Sequence, residues 1–195
     1  MTRRIVVVSA GLSQPSSTRL LAERLSAATV DALNEPPTVE SVELRDIAHD
    51  ITNAMLTGFA APALQKIVDD LGAADAVIAV TPTFNASYSG LFKSFFDVIG
   101  TDVLTDTPVL VAATGGTERH SLVLDHALRP MFTYLHASVV PLGVYAASSD
   151  WGTGALAERI TKAAHQLAAA VAASAKRQAG DGFDGVVAFE TLLAG

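Results

Sequence analysis

The stretch from residue 75 to residue 93 constrains the fold of this chain more than any other. Residues 75–80 form a short apolar run rich in β-branched side chains, which is typical of a strand buried on both faces of a parallel sheet. Pro82 is predicted to end this strand, because proline has no N–H to donate to a sheet. Ser89 is a favourable N-cap residue and predicts a helix over residues 89–99. The sequence therefore predicts a strand–loop–helix unit.

The loop of this unit, residues 82–88, is unusual in composition. It carries two aromatic rings, an amide and hydroxyl groups at the carboxyl end of a buried strand. Open α/β sheets bind ligands at that end, so the loop favours a flat ligand with polar edges. The alternative is an ordinary connecting loop that happens to contain aromatic residues.

Composition excludes several classes of function. The chain has 195 residues, of which 50% are hydrophobic and 17% charged, enough for one domain with a sizeable core. Its net charge of −7 and unclustered basic residues exclude nucleic acid as a partner. It has no cysteine, so disulfides, thiolate metal sites and dithiol redox chemistry are excluded, and any redox activity needs a bound cofactor.

The same composition bears on location. No window approaches the roughly 20 apolar residues of a membrane span. The apolar run after Arg3 and Arg4 is too short for a signal peptide and is better explained as a first strand. A cytoplasmic protein without membrane contact is therefore expected.

The chain alternates strands and helices along its length. Strands are predicted at residues 5–8, 38–44, 75–80, 107–113 and 138–146, and helices at 19–33, 62–71, 89–99, 122–135 and 155–176. Right-handed crossovers then give a flavodoxin-like α/β fold, a three-layer sandwich whose five-stranded parallel sheet has the order 2-1-3-4-5 with helices on both faces.

Four segments are less regular. Residues 45–61 are expected to be a long connection with at most a short helix. Pro130 removes a hydrogen bond to the carbonyl of His126 and should kink its helix or be absorbed by a bulge. The lone tryptophan, Trp151, is expected at a pocket rim or an interface. We expect one domain over residues 1–195, ending in an apolar docking tail at 179–195.

Residues 9–18 form a serine-rich loop that runs into the first helix. Hydroxyls and the free N–H groups of a helix N-terminus can hold a phosphate without lysine. The loop contains neither G-x-x-x-x-G-K-[ST] nor G-x-G-x-x-G, which argues against a nucleoside triphosphate site and a Rossmann dinucleotide site. The alternative is a plain serine-rich cap.

A third loop follows the fourth strand. Thr114, Gly115 and Gly116 open residues 114–120, and adjacent glycines let the backbone approach a ligand closely with exposed N–H groups. A tight turn would use the same residues. In the order 2-1-3-4-5 the three loops meet at one sheet edge. Residues 9–18 suit a phosphate, residues 82–88 a flat ring, and residues 114–120 carbonyl oxygens. A ligand that has all three features is flavin mononucleotide (FMN).

Three segments also carry a family resemblance. Residues 81–93 (Thr-Pro-Thr-Phe-Asn-Ala-Ser-Tyr-Ser-Gly-Leu-Phe-Lys), 114–116 and 120–130 resemble the NADPH-dependent FMN reductase family, in particular reductases that supply reduced flavin to two-component monooxygenases. The resemblance spans residues 5–145. It implies FMN and NADPH or NADH as cofactors, a homodimer or homotetramer with the site at the subunit interface, and a flavin-dependent monooxygenase as a possible partner.

The loops and the resemblance together define a candidate cofactor site. Phosphate contacts are expected in the first loop, ring contacts in the second, and contacts to the polar ring edge in the third. The candidates are Ser9, Gly11, Leu12, Ser16, Ser17, Thr18, Pro82, Thr83, Phe84, Asn85, Ser87, Tyr88, Thr114, Gly115 and Gly116.

The reaction expected is hydride transfer from nicotinamide C4 to flavin N5. It needs no acid–base side chain and no metal, so none is assigned. NADPH and NADH stay open, with Arg19, Arg119 and Arg129 as candidates to meet a 2′-phosphate. The alternatives are a quinone, azo-dye or chromate reductase with bound FMN, a flavodoxin-type electron carrier, and a flavin-free scaffold.

Overall fold

The computed structural model describes residues 2–174. One sheet runs through the molecule, with helices on both of its faces. Its strands are β1 (Arg4–Ser9), β2 (Thr38–Glu43), β3 (Ala76–Phe84), β4 (Ser87–Tyr88), β5 (Pro108–Gly115), β6 (Ser138–Val139) and β7 (Val144–Ala147). Its helices are α1 (Ser17–Ala32), α2 (Ala48–Thr57), α3 (Pro62–Gly72), α4 (Gly90–Val98), α5 (Arg129–Tyr134) and α6 (Gly154–Ala173).

The strand order confirms the flavodoxin-like prediction. The strands β2, β1, β3 and β5 are parallel neighbours in that order, and β6 and β7 both pair in parallel with β5. The predicted fifth strand is therefore present as two short segments along one edge, and the small antiparallel β4 completes the seven strands. The break between β6 and β7 contains Pro141, which has no N–H for a ladder.

Each face of the sheet carries its own core. On one face, alternate residues such as Ile5, Ile78 and Leu110 pack against α1 and α6. On the other face, Val77 and its neighbours pack against α2, α3, α4 and α5. Both faces are buried, which explains why the strands are continuous apolar runs instead of alternating ones.

The prediction that Pro82 ends the third strand is wrong. In the structure β3 continues to Phe84, and Pro82 pairs in register with Thr114. The Val80 carbonyl accepts a hydrogen bond from the N–H of Ala10 at 2.9 Å, so Val80 faces β1. Peptide groups alternate sides along a strand, so the nitrogen of Pro82 also faces that side, where β1 has already ended. Its missing N–H therefore leaves no strand hydrogen bond unmade.

Two irregular segments are resolved. The segment at 45–61 contains a helix of 10 residues, α2, preceded by a 3-10 turn at Leu44–Ile47. Immediately before α5 the chain forms a π-helical segment, Leu124–Leu128. This is the local bulge expected around Pro130, because a wider turn accommodates a residue that cannot donate a helical hydrogen bond.

The end of α6 is tied to the edge of the sheet where β1 starts. Arg3 forms an ion pair with Asp75 at 2.6 Å and donates a hydrogen bond to the carbonyl of Ser174 at 2.9 Å. The predicted tail at 179–195 and the end of the last predicted helix lie outside the described residues. Within residues 2–174, no helix is both long and apolar enough to cross a bilayer.

Candidate flavin site

The three loops singled out in the sequence line one cavity of about 510 Å³ at the carboxyl edge of the sheet. They meet there because β1, β3 and β5 are adjacent and end at a similar level. A fourth segment, after β7, closes the cavity. Its lining residues are Leu12, Ser13, Ser16, Ser17, Thr18, Pro82, Thr83, Phe84, Thr114, Gly115, Gly116, Ser148 and Trp151.

The first loop presents the N-terminus of α1 to this cavity. Ser16 is the N-cap, and its hydroxyl oxygen accepts a hydrogen bond from the N–H of Arg19 at 3.2 Å. The first N–H groups of a helix have no partner within the helix, so those of Ser17 and Thr18 are available to an anion. A Cβ at Gly11 would come within 2.1 Å of Ser16 Oγ, so glycine is required for this loop to pack.

A buried contact joins the first loop to the third. The hydroxyls of Thr18 and Thr114 lie 2.8 Å apart and form a hydrogen bond, and both side chains are nearly inaccessible to solvent. The start of α1 and the end of β5 are therefore held at a fixed separation.

The second loop is a β-hairpin. Thr83 and Phe84 pair with Tyr88 and Ser87 across a two-residue turn, in which Asn85 has φ 49° and the next residue φ 66°. Positive φ at both positions is the geometry of a tight hairpin turn. Phe84 remains 46% exposed and lines the cavity, offering a ring face at its mouth.

The third loop lies on a tyrosine from β7. A Cβ at Gly115 would come within 2.0 Å of the Tyr145 hydroxyl, whereas one at Gly116 would meet nothing within 4 Å. Tyr145 donates a hydrogen bond to the carbonyl of Thr117 at 2.8 Å, and burial raises its pKa above the ordinary value. Tyr145 therefore forms a rigid floor under Gly115, whereas the space next to Gly116 is open.

A buried contact between hydroxyls supports this floor. The side chain of Thr83 hydrogen-bonds the Tyr145 hydroxyl, which lowers the pKa of Tyr145 against the larger, opposite effect of burial. Tyr145 donates its own proton to the Thr117 carbonyl, so its oxygen is left to accept from Thr83. Thr83 and Tyr145 therefore hold the base of the glycine loop together.

The structure places the predicted residues in two groups. Ten lie in the cavity wall: Leu12, Ser16, Ser17, Thr18, Pro82, Thr83, Phe84, Thr114, Gly115 and Gly116. Five lie outside it: Ser9, Gly11, Asn85, Ser87 and Tyr88.

The five outside residues have identifiable structural contacts. Ser9 donates its hydroxyl to Glu43 at 3.2 Å, and Tyr88 packs its ring 6.1 Å from that of Phe92. Gly11 lies under Ser16, while Asn85 and Ser87 belong to the hairpin.

The candidate set omitted Ser13 of the first loop, which lies in the wall. It also omitted Ser148 and Tyr145, and Trp151 was expected at a pocket rim or an interface without a choice between them. All three come from the segment around β7, where Tyr145 pairs with Ala113 and Ala147 with Gly115. Their position follows from that register, and no local sequence motif indicates it. An apolar run that ends in a Ser-Ser-Asp-Trp turn after the last strand was the available signal.

The residues present fit FMN. Hydroxyls and free N–H groups at the start of a helix of 16 residues suit a phosphate monoester. Phe84 and Pro82 suit a flat ring, and the open glycine backbone suits its polar edge. No group of three or more metal-ligating side chains occurs among the described residues.

Comparisons with known proteins point the same way. The family described as NADPH-dependent FMN reductase matches residues 3–152. The chain is 41% identical over 170 residues to "FMN reductase (NADPH)" of Pseudomonas aeruginosa, covering 87% of this chain and 90% of that protein. It is 40% identical over 167 residues to "NADH-dependent FMN reductase SfnE" of Pseudomonas putida, covering 83% and 89%.

A solved structure is also similar. The chain superposes on an oxidoreductase from Corynebacterium diphtheriae with a TM-score of 0.86 and 45% sequence identity, covering 89% of this chain and 99% of that one. The two named relatives differ in the nicotinamide nucleotide that their names give.

Proposed function

This chain belongs to the NADPH-dependent FMN reductase family, and from that premise we propose that it supplies reduced FMN to a partner monooxygenase. It is an NAD(P)H:FMN oxidoreductase. We place its reaction in the cytoplasm, where reduced nicotinamide nucleotides are regenerated.

The observation that carries the site assignment is the convergence of three separate loops on one cavity. In the proposed arrangement the phosphate lies at the start of α1, held by Ser16, Ser17 and Thr18. The ring lies between Phe84 and the Gly115–Gly116 backbone. Ser9, Gly11, Asn85, Ser87 and Tyr88 support this arrangement from behind the wall, through the contacts described above.

FMN, when bound, accepts a hydride from the nicotinamide. The chain's own contribution is alignment and electrostatics, which can account for much of the rate of such a transfer. The rigid floor made by Tyr145 keeps the glycine loop in place, and Gly116 exposes backbone to the cavity. Preorganised N–H groups there balance negative charge on a ligand without reorganising. No side chain is assigned a proton transfer.

The open mouth of the cavity supports the role in flavin supply. Phe84 is 46% exposed, so a ring lying against it is reached from solvent. An accessible flavin can receive a nicotinamide on its free face and can leave after reduction. A reductase that serves a separate monooxygenase requires both steps.

We also propose that the protein assembles as a homodimer or homotetramer. Several large apolar side chains are exposed on one chain, among them Leu56, Phe59 and Tyr134 at 74–81%. Exposed apolar surface of this kind favours association. Light scattering coupled to gel filtration measures the mass directly, and a monomer at micromolar concentration would contradict this proposal.

Steady-state kinetics test the function. Purified protein is assayed for NADPH and NADH oxidation with FMN, FAD and riboflavin as acceptors. We expect rapid FMN-dependent oxidation and transfer of reduced flavin to an added flavin-dependent monooxygenase across a dialysis membrane. Tightly retained flavin with quinone turnover, but no release of reduced FMN, would favour a quinone reductase instead. Absence of nucleotide oxidation would favour an electron carrier.

A further inference from the structure

A second, larger cavity of about 820 Å³ adjoins the flavin cavity. The two share the wall residues Ser13, Ser16, Ser17 and Trp151. The shared residues include the start of α1, so the second cavity begins where the phosphate of FMN is proposed to lie. Its remaining wall residues are Gln14, Pro15, Arg19, Leu20, Glu23, Arg24, Glu43, Arg45 and Asp46.

Glu43 gives the second cavity a group suited to a ribose. It is the last residue of β2 and is half-buried, and one of its carboxylate oxygens accepts the Ser9 hydroxyl at 3.2 Å. Its other oxygen is free to accept from a diol. In dinucleotide-binding α/β folds, an acidic side chain downstream of the first strand–helix turn binds the adenosine ribose, and the pyrophosphate sits at the helix N-terminus.

Trp151 gives the same cavity a surface suited to a purine. Its ring lies under the guanidinium of Arg24, 5.3 Å from the ring centroid. Indole and guanidinium planes both stack well on nucleobases. A flat base can therefore be held against Trp151 in this cavity.

The cavity wall carries three arginines, Arg19, Arg24 and Arg45, and three carboxylates, Glu23, Glu43 and Asp46. Arg19 and Arg45 lie in the wall beside the start of α1, and Arg45 donates to the carbonyl of Leu12 at 3.0 Å. Arg45 thus ties the segment after β2 to the phosphate loop. Arg19 pairs with Glu23 at 2.8 Å and Arg45 lies 3.9 Å from Asp46, so the free N–H groups at the start of α1 supply most of the attraction for a diphosphate here, with guanidinium donors beside them.

We propose that the second cavity is a subsite for the adenosine diphosphate moiety of a dinucleotide, contributed either by FAD or by the reduced nicotinamide nucleotide. The phosphates of FAD would lie at the start of α1, where the FMN phosphate is proposed to bind, whereas those of the nicotinamide nucleotide would lie beside it, near Arg19 and Arg45. Glu43 binds the ribose, and Trp151 with Arg24 binds the base. This inference rests on the proposed flavin site, since it takes the shared wall as the point where the phosphate of FMN lies.

The lone tryptophan provides the assay. Trp151 is the single tryptophan of the chain and lines both cavities, so its fluorescence reports binding in either one, and the Glu43 variant identifies binding in the second cavity. ADP is titrated into the full-length protein, and the expected result is saturable quenching. The variant Glu43→Gln should raise the dissociation constant of ADP about tenfold. Glu40→Gln, on the same strand but outside both cavities, should change it less than twofold.

Two further measurements distinguish the sources. If FAD supplies the moiety, Glu43→Gln raises the ratio of the FAD and FMN dissociation constants about tenfold. If the nicotinamide nucleotide supplies it, the same change raises the KM for NADH relative to that for reduced nicotinamide mononucleotide. Arg24→Ala, which removes the cation over the indole, should act in the same direction and covers the case in which Glu43→Gln does not fold.

Three results would overturn the subsite: no quenching by ADP up to about 1 mM, equal ADP affinity in wild type and both variants, or unchanged ratios in both source measurements. These results are separable from failure of the proposed function, because ADP binding is measured without turnover. Binding of ADP without FMN reduction would contradict only the function. FMN reduction without ADP binding would contradict only the subsite.

Discussion

The contact between Gly115 and Tyr145 makes a quantitative prediction. An alanine at 115 would place its Cβ 2.0 Å from the tyrosine oxygen and 3.0 Å from the ring carbon that carries it. Ordinary contacts are about 3.5–4.0 Å, so the buried ring must move. Overpacking costs about 1–3 kcal/mol, and the lost hydrogen bond to Thr117 costs about 1 kcal/mol. We therefore expect Gly115→Ala to lower the free energy of unfolding by about 2–4 kcal/mol.

A double-mutant cycle isolates this contact. Tyr145→Phe alone should cost about 1 kcal/mol, because only the hydrogen bond is lost. In the double variant the oxygen is gone, the shortest contact becomes the one at 3.0 Å, and the loss should be about 2 kcal/mol. The two changes are then expected to couple by about 1–3 kcal/mol.

Urea denaturation measures all of these free energies, provided that the slope m is unchanged between variants. Gly116→Ala is the matched control, since its Cβ would meet nothing within 4 Å, and it should stay within about 0.5 kcal/mol of wild type. The reasoning is refuted if Gly115→Ala behaves like this control, or if the two single changes simply add.

Three other predictions concern ligand affinity, turnover and pH. Ser17→Asp should weaken FMN binding about tenfold or more by repelling the phosphate, whereas Ser41→Asp on β2 should leave the affinity unchanged. Fluorescence titration with FMN measures both affinities, and equal values would contradict the assignment of the phosphate to the first loop. Phe84→Ala should slow turnover about tenfold, while Val39→Ala, exposed on β2 and outside the cavity, should stay within twofold. An unchanged rate in Phe84→Ala would indicate that the ring binds elsewhere. Burial raises the pKa of Glu43, so the folded state favours the protonated carboxyl, and wild type should lose stability relative to Glu43→Gln as the pH rises above about 4. Denaturation at several pH values tests this, and a parallel pH profile of the two proteins would contradict it.

The repeating strands, their order and the meeting of three loops could be predicted from the sequence, because each depends on local pattern and on general crossover rules. Because the apolar runs are continuous, burial of the strands on both faces could be predicted. The helix N-cap at Ser89 could be predicted too, and its hydroxyl oxygen accepts from the N–H of Phe92 at 3.2 Å.

What could not be predicted depends on neighbours distant in the chain. Pro82 was judged on its own missing N–H, but its strand position is allowed because β1 has ended beside it. Ser9 was a candidate to bind a phosphate, but its hydroxyl donates a hydrogen bond to Glu43, which is 34 positions away in the sequence. Tyr145 entered the site only through the register of β7 against β5. Each case requires knowledge of which strand lies alongside, at which residue.

The tie between Arg3 and Ser174 has a practical consequence for attaching the protein to other objects. It fixes the C-terminal end of α6 at the side of the molecule opposite the cavities. A helix of 20 residues is about 30 Å long, which separates its two ends by that distance. The natural chain has no thiol, so a cysteine introduced at the exposed Ala173 would be unique. An electrode or a bead coupled there would leave the carboxyl edge of the sheet, with both cavities, facing the bulk solution, and every molecule would have the same orientation.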